Sequence, residues 1–468
     1  MRKTLVGPRL RQLRRAHRQT QAEMAAALGI SPAYVNLLEN NQRALSVQVL
    51  MALTDAYSVD WRDLINEDGA TRLADLRNAV TDPIFGDGAP DLQELRAALD
   101  HAPRLADLFL QLYQAHRSTL DKVMRMGSGG TLPDLMTASP ESVIHDFFRD
   151  HGNHFDALER AAEALRAELG AGADDLYAAL KARMAARHGI EVVLARVHDM
   201  PHTLRDYRVE ERRLLLSEAL DHPNRLFQAA HVLCLVEFPD LLERLVGGTA
   251  LAEGAGLARC RVELANYFAA ALIMPYAEVL ELAVVTHYDV DRIAAAFGVS
   301  FEQVCHRLTT LQREGARGVP FFFLRVDKAG NVTKRFNSTS FHLAEYGGSC
   351  PVWNVHATFA APGQILPQFV ELPGGERYFT IARTTDRPVF SRNMQDRRLA
   401  VALGCEMTHA HRIGYAQRFN MTEPGLFARI GINCHLCPRH ACSQRAHQPL
   451  HVELPIDTNR RGNTRYES

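Results

Sequence analysis

The pattern of apolar and polar positions divides the chain into parts with different predicted secondary structure. Short helices are predicted in residues 1–66, and leucine and alanine recur at helical spacing from 92 to 185. Between them, the Gly, Asp and Pro residues of 67–91 indicate a boundary. Helical patterns return from 224 to 312. The N-terminal part is therefore predicted to be all-α.

Strand patterns appear in the second half of the chain. The segments GIEVVLARV and RRLLLSEAL predict strands, and PFFFLRVDKAGNVTKRF predicts two strands around a Gly-Asn turn. Further strands are predicted at 352–359 and 377–384, before a Cys-rich C-terminal segment. Because helices and strands are largely segregated along the chain, the expected fold class is α+β.

Composition then restricts the class of protein. The chain has 468 residues, 47% of them hydrophobic, and a net charge of −1. At roughly 100–200 residues per domain, this length predicts three or four domains. The composition excludes a disordered chain and a disulfide-stapled miniprotein. No stretch approaches the roughly 20 apolar residues of a membrane span, and the N-terminus lacks the apolar core of a signal peptide. We expect a cytoplasmic protein without a membrane partner.

Basic residues concentrate at the N-terminus, although the whole chain is nearly neutral. Seven of the first 18 residues are Lys or Arg, and the first acidic residue is Glu23. The two helices predicted next are separated by Gly29, which suits a left-handed turn residue. Ser31 then suits a helix N-cap, and Pro32 suits the first helical position. Two helices joined in this way form a helix-turn-helix.

Residues 7–66 resemble the lambda-repressor-like (XRE) DNA-binding domains. The resemblance implies phosphate contacts by Gln21 and Asn40, base-edge contacts by Ser31, Ala33, Tyr34 and Asn36, and a backbone contact by Arg43. Arg14 and Glu39 are similar to the internal ion pair of that fold. Such domains read pseudo-palindromic DNA as dimers, so double-stranded operator DNA and a homodimer are expected. The alternative is a helical module that only docks to another protein.

A second segment, RRLLLSEALDHPNRLFQAAHVLCLVEF, resembles the ImmA/IrrE metallopeptidase-like family. The helix of that family carries H-E-x-x-H, in which two His bind zinc and the Glu activates a water molecule. Here His231 keeps the first position, but Val232 and Leu235 replace the Glu and the second His. The phrase ELANYFAAALIMP matches the segment of the third ligand and retains Glu263. One His and one Glu do not hold a catalytic zinc, so we expect no peptidase activity and no enzyme.

The cysteines predict a metal centre near the C-terminus. Three of the eight lie in the pattern Cys434-x2-Cys437-x4-Cys442, and Cys405 is the predicted fourth ligand. Four thiolates suit either tetrahedral Zn²⁺ or an iron–sulfur cluster. The spacing is similar to that of cluster-binding actinobacterial regulators, which favours a 4Fe-4S cluster, while neighbouring His residues keep zinc as the alternative. Exposed reduced thiols without a metal are disfavoured because they oxidise.

Nearly the whole chain resembles the short-chain fatty acyl-CoA regulator family. The C-terminal phrases that carry the resemblance are SFEQVCHRLTTLQR, CPVWNVH, GCEMTHAHRIGYA and IGINCHLCPRHACSQRA. It implies a bacterial transcription regulator of propionate-, glyoxylate- or related carbon metabolism that an acyl-CoA effector controls allosterically. It also divides the chain into a helix-turn-helix domain at 1–68, a helical linker and dimerisation segment at 69–185, a degenerate IrrE-like domain at 186–312 and a mixed α/β sensing domain with the Cys-rich site at 313–468.

An acyl-CoA site needs cations for the CoA phosphates and an aromatic wall for the adenine. The expected effector-binding residues are Arg325, Lys328, Lys334 and Arg335 on the predicted hairpin, with Trp353 as the aromatic wall. The alternative is an ordinary β-core with solvated cations on its outer face, so this site depends mainly on the resemblance. The alternative function for the whole chain is an IrrE-type metallopeptidase that cleaves a repressor or toxin partner.

Overall fold

A computed structural model gives the fold of the chain. It describes residues 7–17, 19–40, 42–43, 46–57, 68–80, 82, 85, 90–127, 140–170, 175–247, 254–341, 349–386, 398–421, 423–449 and 454. The chain forms two compact units, Met1–Val123 and Met124–Ser468. Helices occupy the first unit and helices and strands the second, which confirms the predicted α+β class.

The first unit begins with a four-helix cluster. Its helices are α1 (Gly7–Ala16), α2 (Gln21–Leu28), α3 (Pro32–Glu39) and α4 (Val47–Tyr57). They enclose a small apolar core formed by Leu10, Met24, Ala25, Leu28, Val35, Leu38, Val49 and Leu53. Apolar residues at helical spacing therefore face one common centre, as the sequence predicts.

Three further helices follow within the same unit. They are α5 (Asp68–Val80), α6 (Leu92–His101) and α7 (Pro103–Gly127). A separate core holds them together, formed by Leu76, Val80, Leu95 and Ala106 with Leu73, Leu99, Phe109 and Leu110 at its edge. Asp91 caps α6 by accepting hydrogen bonds from the backbone N–H groups of Gln93 and Glu94.

The second unit starts with helices and a small sheet. Its first helices are α8 (Pro140–Asp150), α9 (Asp156–Leu169) and α10 (Leu176–His188). Strands β1 (Glu191–Ala195), β2 (Arg205–Arg208) and β3 (Arg213–Ser217) follow, with β3 in the middle, parallel to β1 and antiparallel to β2. The predicted strands at GIEVVLARV and RRLLLSEAL correspond to β1 and β3, whereas β2 was not predicted.

A helical layer comes next. It consists of α11 (His222–Glu237), α12 (Pro239–Val246), α13 (Gly254–Ile273), α14 (Tyr276–Val285), α15 (Val290–Phe297) and α16 (Phe301–Leu308). Helices α11 and α13 pack against each other in the largest core of the unit. Among the described residues, no single helix has both the length and the apolar composition to span a bilayer, although the bent pair Gly256–Ile273 and Tyr276–Val285 meets both criteria together.

The C-terminal part is built on a six-stranded sheet. Its strands are β4 (Phe322–Val326), β5 (Val332–Asn337), β6 (Leu366–Glu371), β7 (Arg377–Thr385), β8 (Leu399–Glu406) and β9 (Phe427–Arg429). Their order across the sheet is β5-β4-β8-β7-β6-β9, and neighbours are antiparallel except β6 and β9. The predicted hairpin and the predicted strand at 377–384 are confirmed.

The two faces of this sheet contribute to different cores. Along β8, Val401, Leu403 and Cys405 join the core shared with the helices, whereas Ala400 and Ala402 join a second core on the other face. The strand predicted at 352–359 is wrong, because the chain forms turns and a 3-10 helix (Ala357–Phe359) there. Its apolar residues pack on the second core from a non-strand segment.

Candidate functional site

The turn between α2 and α3 is held by local hydrogen bonds. The Thr20 side chain and Glu23 form a reciprocal capping box at the start of α2. Gly29 ends α2 with φ of 65°, in the left-handed region. Ser31 caps α3 by accepting a hydrogen bond from the backbone N–H of Tyr34, and Pro32 begins the helix. The turn chemistry predicted from the sequence is confirmed.

A buried carboxylate connects three of the four helices. Glu39, whose side chain is 1% exposed, accepts hydrogen bonds at its two oxygens from Arg14 Nε at 2.6 Å and Arg14 Nη2 at 3.1 Å. Gln21 Nε2 donates to the same carboxylate at 2.8 Å. Burial opposes ionisation of Glu39, but Arg14 and Gln21 outweigh it and lower the pKa of this carboxyl. The predicted internal ion pair is confirmed.

The exposed polar face of α3 continues from this carboxylate. Asn36 Oδ1 accepts hydrogen bonds from Asn40 Nδ2 at 2.9 Å and from Gln21 Nε2 at 3.5 Å. Arg11 Nη2 donates to Asn40 Oδ1 at 2.6 Å. The acceptor oxygen of Asn36 is therefore already occupied within the protein, which leaves its amide N–H groups to face outward.

The other predicted DNA contacts lie on the same unit. Ser31, Ala33 and Arg43 are exposed, whereas Tyr34 is half-buried against the small core. Of the seven basic residues near the N-terminus, Arg2, Lys3 and Arg18 lie outside the described residues. The described side chains form a polar, partly prearranged helix surface of the kind that enters a major groove.

The position of the eroded metallopeptidase motif is a buried polar cluster. His231 on α11 is 1% exposed, and its Nδ1 lies 2.9 Å from Asn266 Oδ1 on α13. Because an amide oxygen can only accept, Nδ1 carries the proton and Nε2 has a lone pair. Burial, together with the charge of Arg205, lowers the pKa of His231 to about 4. At neutral pH this imidazole is uncharged.

Glu263 belongs to the same cluster. Its carboxylate lies 3.5 Å from Lys334 Nζ on β5 and 3.6 Å from Arg259 Nη2, and it accepts a hydrogen bond from Asn266. Burial opposes its ionisation, but Lys334, Asn266 and Arg259 together lower the pKa of Glu263. Val232 is buried and Leu235 packs at the core edge, so the positions that would carry the general base and the second zinc ligand are apolar.

The Cys-rich segment surrounds a small cavity. Cys434, Cys437 and Cys442 line it together with Cys350, which the sequence pattern did not select. Arg445, 6% exposed, closes the loop by donating hydrogen bonds to the carbonyl oxygens of Cys434 and Cys437 at 3.2 Å each. A Cβ on Gly431 would lie 2.7 Å from Cys437 Sγ, so only glycine allows this close approach.

Cys405, the predicted fourth ligand, lies elsewhere. It is fully buried on β8 opposite Phe379 and belongs to the core shared with the helices. Cys350 packs on the opposite face of the sheet, beside Ile430. Strand alternation directs the Cys405 side chain away from the Cys-rich loop. Within the described ranges, no three His, Cys, Asp or Glu side chains are arranged so that they could hold a metal ion.

Of the predicted effector residues, Arg325 and Lys334 are cross-strand partners on the hairpin, but the others lie apart from them. Arg325 donates to Glu302 Oε1 at 2.6 Å, and Lys334 pairs with Glu263, so carboxylates of the helical layer already compensate both cations. Trp353 is 4% exposed and packs against Phe322 in the core on the other face of the sheet. Lys328 is exposed in the turn after β4.

Arg335 follows Lys334 on β5 and acts on different groups. Burial lowers the pKa of His145 on α8, and the charge of Arg335 lowers it further, while Asp146 opposes the shift. The clustering expected from the hairpin sequence therefore holds for Arg325 and Lys334 but not for Arg335, because successive side chains on a strand point to opposite faces. The sequence analysis did not select Cys350 or Asn266, because neither residue lies at a motif spacing that indicates its partner.

Comparison with protein families assigns three segments of the chain. Residues 10–64 match a helix-turn-helix model, residues 185–309 match the IrrE N-terminal-like domain, and residues 310–466 match the C-terminal domain of the short-chain fatty acyl coenzyme A regulators. The four-helix cluster except the first three residues of α1, the helical layer with its small sheet, and the six-stranded sheet lie within these respective matches.

Relatives match the chain over nearly its whole length. The chain is 39% identical to a propionyl-CoA carboxylase regulator of Cereibacter sphaeroides, over 99% of both chains. It is 36% identical to the HTH-type transcriptional regulator RamB of Mycobacterium tuberculosis, over 98% of both chains. A solved Mycobacterium tuberculosis transcriptional regulator is 37% identical and superposes with a TM-score of 0.67, covering 71% of this chain and all of that one.

Proposed function

The chain belongs to the family of helix-turn-helix transcriptional regulators with a short-chain fatty acyl coenzyme A regulator domain, and we propose that a short-chain acyl-CoA controls its binding to an operator. As a transcriptional regulator it acts through the helix-turn-helix of residues 10–64. The observation that carries the proposal is the prearranged surface of α3 in a chain that also contains a C-terminal domain of this named class.

Recognition of DNA would use the polar face of α3. The Glu39 carboxylate holds Gln21 and Arg14, and Asn36 and Asn40 hold each other, so these side chains lose little conformational entropy on binding. The outward amide N–H groups of Asn36 suit the acceptors N7 and O6 of guanine or O4 of thymine. Gln21, Asn40 and Arg43 would position the helix through phosphates.

Operator binding is tested with sites selected from random DNA. Asn36→Ala is expected to weaken binding of the selected site by about 1–3 kcal/mol, because one base contact is lost, with acyl-CoA binding unchanged. Gln93→Ala on the exposed face of α6 is the matched control. Unchanged affinity of the Asn36 variant would show that α3 does not read the bases.

The effector is proposed to be a thioester of CoA with a short acyl chain, as in propionate- or glyoxylate-related carbon metabolism. The named class of the C-terminal domain and the Cereibacter sphaeroides relative support it. Calorimetric titration of the full chain with propionyl-CoA, acetyl-CoA and free CoA tests it. Binding of none of them would refute an acyl-CoA effector, while operator binding alone would still identify a transcription regulator.

We propose that the IrrE-like domain has no peptidase activity. Val232 and Leu235 offer neither a general base nor a zinc ligand, and Glu263 is neutralised by Lys334 and Arg259. The alternative function, a metallopeptidase that cleaves a repressor or toxin partner, requires the general base and the second zinc-binding His that are missing here. Incubation of the protein with unfolded casein, with and without added Zn²⁺, is expected to give no cleavage, and zinc-dependent cleavage would restore the alternative.

A metal centre at the Cys-rich loop is a further part of the proposal. Four thiols line one cavity, the donor set that suits a 4Fe-4S cluster or, as the alternative, Zn²⁺. Cys350, Cys434, Cys437 and Cys442 would hold it after side-chain rotation. The cluster would supply electron transfer for redox sensing, and zinc would only stabilise the loop. Anaerobic purification followed by an absorbance spectrum and by iron, sulfide and zinc analysis separates the two.

The protein is also proposed to act in the cytoplasm as a homodimer. Helix-turn-helix proteins of this type read two half-sites with two copies, one helical turn of DNA apart. Sedimentation equilibrium of the full chain, with and without operator DNA, measures this stoichiometry. Two chains on one selected operator are expected, and a single chain on every selected site would contradict it.

A further inference from the structure

Helix α7 (Pro103–Gly127) carries two apolar stripes. One stripe, including Ala106 and Phe109, packs against α5 and α6. The other consists of Leu105, Leu108 and Leu112, which are 68%, 53% and 71% exposed. An exposed leucine is ordinary when it stands alone, but three on one helix face form a continuous apolar strip that favours a partner.

The spacing of the exposed stripe indicates the kind of partner. Leu105, Leu108 and Leu112 are followed by Ala115 and Thr119, which are exposed as well. Steps of three and four residues place all five at the a and d positions of two heptads, the period of a two-helix coiled coil. At 1.5 Å per residue the strip is about 21 Å long. We name residues 105, 108, 112, 115 and 119 the α7 seam.

The positions that flank the seam allow two identical helices to approach. In a parallel pair, Arg104 faces Phe109 of the partner subunit, and Gln111 faces His116 of the partner subunit. No pair of like charges forms at these positions, so charge repulsion does not oppose the pairing of two identical helices. Asp107 lies off the seam and pairs with Arg72 at 3.7 Å within its own unit.

We propose that the α7 seam binds the α7 seam of a second copy in parallel, and that this contact dimerises the regulator. The inference rests on the proposed function, since operator reading by two heads requires a dimer. Seam and helix-turn-helix belong to one compact unit, so pairing of the seams sets the separation of the two α3 helices. Two heptads are fewer than the three or four of an autonomous coiled coil, so the free dimer is weak and DNA strengthens it.

Polar substitution in the seam tests the proposal. Leu108→Gln/Leu112→Gln is expected to weaken self-association of the full chain at least tenfold in sedimentation equilibrium. Binding to a selected pseudo-palindromic operator falls by at least tenfold, whereas binding to an isolated half-site is unchanged. Leu92→Gln, which removes a 43% exposed leucine from α6, is the matched control and leaves all three measurements unchanged.

Site-specific crosslinking distinguishes the seam from any other dimer contact. Leu108→Cys at a d position is expected to give a covalent dimer with a short bismaleimide, well above the level of the unsubstituted chain. Gln114→Cys, exposed on another face of α7, gives no such increase. Retained dimerisation of the double Gln variant together with no excess crosslink at position 108 would overturn the seam.

The outcomes also separate the seam from the proposed function. If the unsubstituted chain bound no DNA sequence at all, the proposed function would be refuted. Normal operator binding by the double Gln variant would refute the seam and leave the function intact. Equal excess crosslinking at 108 and 114 would overturn the seam as the dimer contact, because only one of these faces can lie in a two-helix contact.

Discussion

At the scale of single residues, Glu39 connects the stability of the helix-turn-helix with its readiness to bind DNA. The carboxylate is almost fully covered, yet it stays ionised because Arg14 and Gln21 donate hydrogen bonds to it. The same Gln21 also contacts Asn36 on the exposed face. A buried charge that is fully hydrogen-bonded is tolerated, and loss of one member leaves the others unpaired.

Glu39→Gln is predicted to lower the free energy of unfolding of the first unit by about 1–3 kcal/mol, because Arg14 loses its charged acceptor. The folded pKa of Glu39 lies below its ordinary value of about 4.3. Its stabilisation is therefore present above that pH and is lost as the pH falls through the folded pKa. Urea unfolding followed by circular dichroism between pH 3 and 7 measures this.

The variant should show a smaller acid-induced loss of stability than the unsubstituted chain. A similar loss in both would assign the acid sensitivity to other carboxylates. Operator affinity at pH 7 should also fall for Glu39→Gln, since Gln21 is no longer held by a charge.

At the scale of elements, a fully buried ion pair joins three helices of the second unit. Arg307 on α16 and Glu159 on α9 are both 0% exposed and form a bidentate pair at 2.5 and 2.9 Å. Tyr267 on α13 donates to the same carboxylate at 2.6 Å, and Arg307 Nε donates to the carbonyl of Met274 at 3.0 Å. This geometry gives both buried charges hydrogen-bond partners and fixes the relative position of the three helices. Removing the two charges from water has a large desolvation cost.

Arg307→Met is predicted to destabilise the second unit by about 3–5 kcal/mol, because it leaves the Glu159 charge buried and unpaired. Arg307→Met/Glu159→Leu should recover at least half of that loss. Arg313→Met is the control: the Arg313 side chain is 27% exposed, and its solvent-accessible pair with Glu163 should contribute less than about 1 kcal/mol. Urea unfolding of the four proteins gives the comparison, and equal losses for Arg307→Met and Arg313→Met would contradict it.

At the scale of the whole molecule, the sheet decides which cysteines meet. Cys350 and the loop of residues 431–445 lie on one side of it, and Cys405 lies in the core on the other. Burial raises the pKa of the Cys405 thiol, as expected for a small core residue rather than a ligand.

Cys350→Ser is predicted to reduce the metal content of the anaerobically purified protein to less than about a fifth, since three thiolates hold a four-ligand centre poorly. Cys405→Ser is the matched control and keeps the metal, because its side chain is outside the cavity. The ratio of iron or zinc to protein measures both. Loss of metal from Cys405→Ser but not from Cys350→Ser would indicate that Cys405, and not Cys350, is the fourth ligand.

Coupling between effector and operator is also a property of the whole chain. A short-chain acyl-CoA is predicted to change operator affinity by a factor of about 5–150, which corresponds to about 1–3 kcal/mol. By linkage, saturating operator DNA must change acyl-CoA affinity by the same factor. Paired calorimetric and fluorescence titrations measure the two factors, and an operator affinity that no short-chain acyl-CoA changes would contradict the coupling.

The sequence by itself determined the features that depend on neighbours along the chain. The capped turn at Gly29 and Ser31 and the replacement of the H-E-x-x-H residues after His231 by Val232 and Leu235 can both be identified locally, because caps and motif spacing act over a few residues. The Arg14–Glu39 pair spans 25 residues and was expected from the family resemblance. The α+β class follows from the same patterns.

Only the tertiary structure decided which distant side chains share a site. It brought Cys350 to the Cys-rich loop, placed Trp353 on the face opposite Arg325 and Lys334, and paired those cations with Glu302 and Glu263. Strand order, strand alternation and helix packing settle such meetings, and residues far apart in the chain carry no local signal of them. Chemistry that needs one helix or one turn was therefore predictable, and chemistry assembled across a sheet was not.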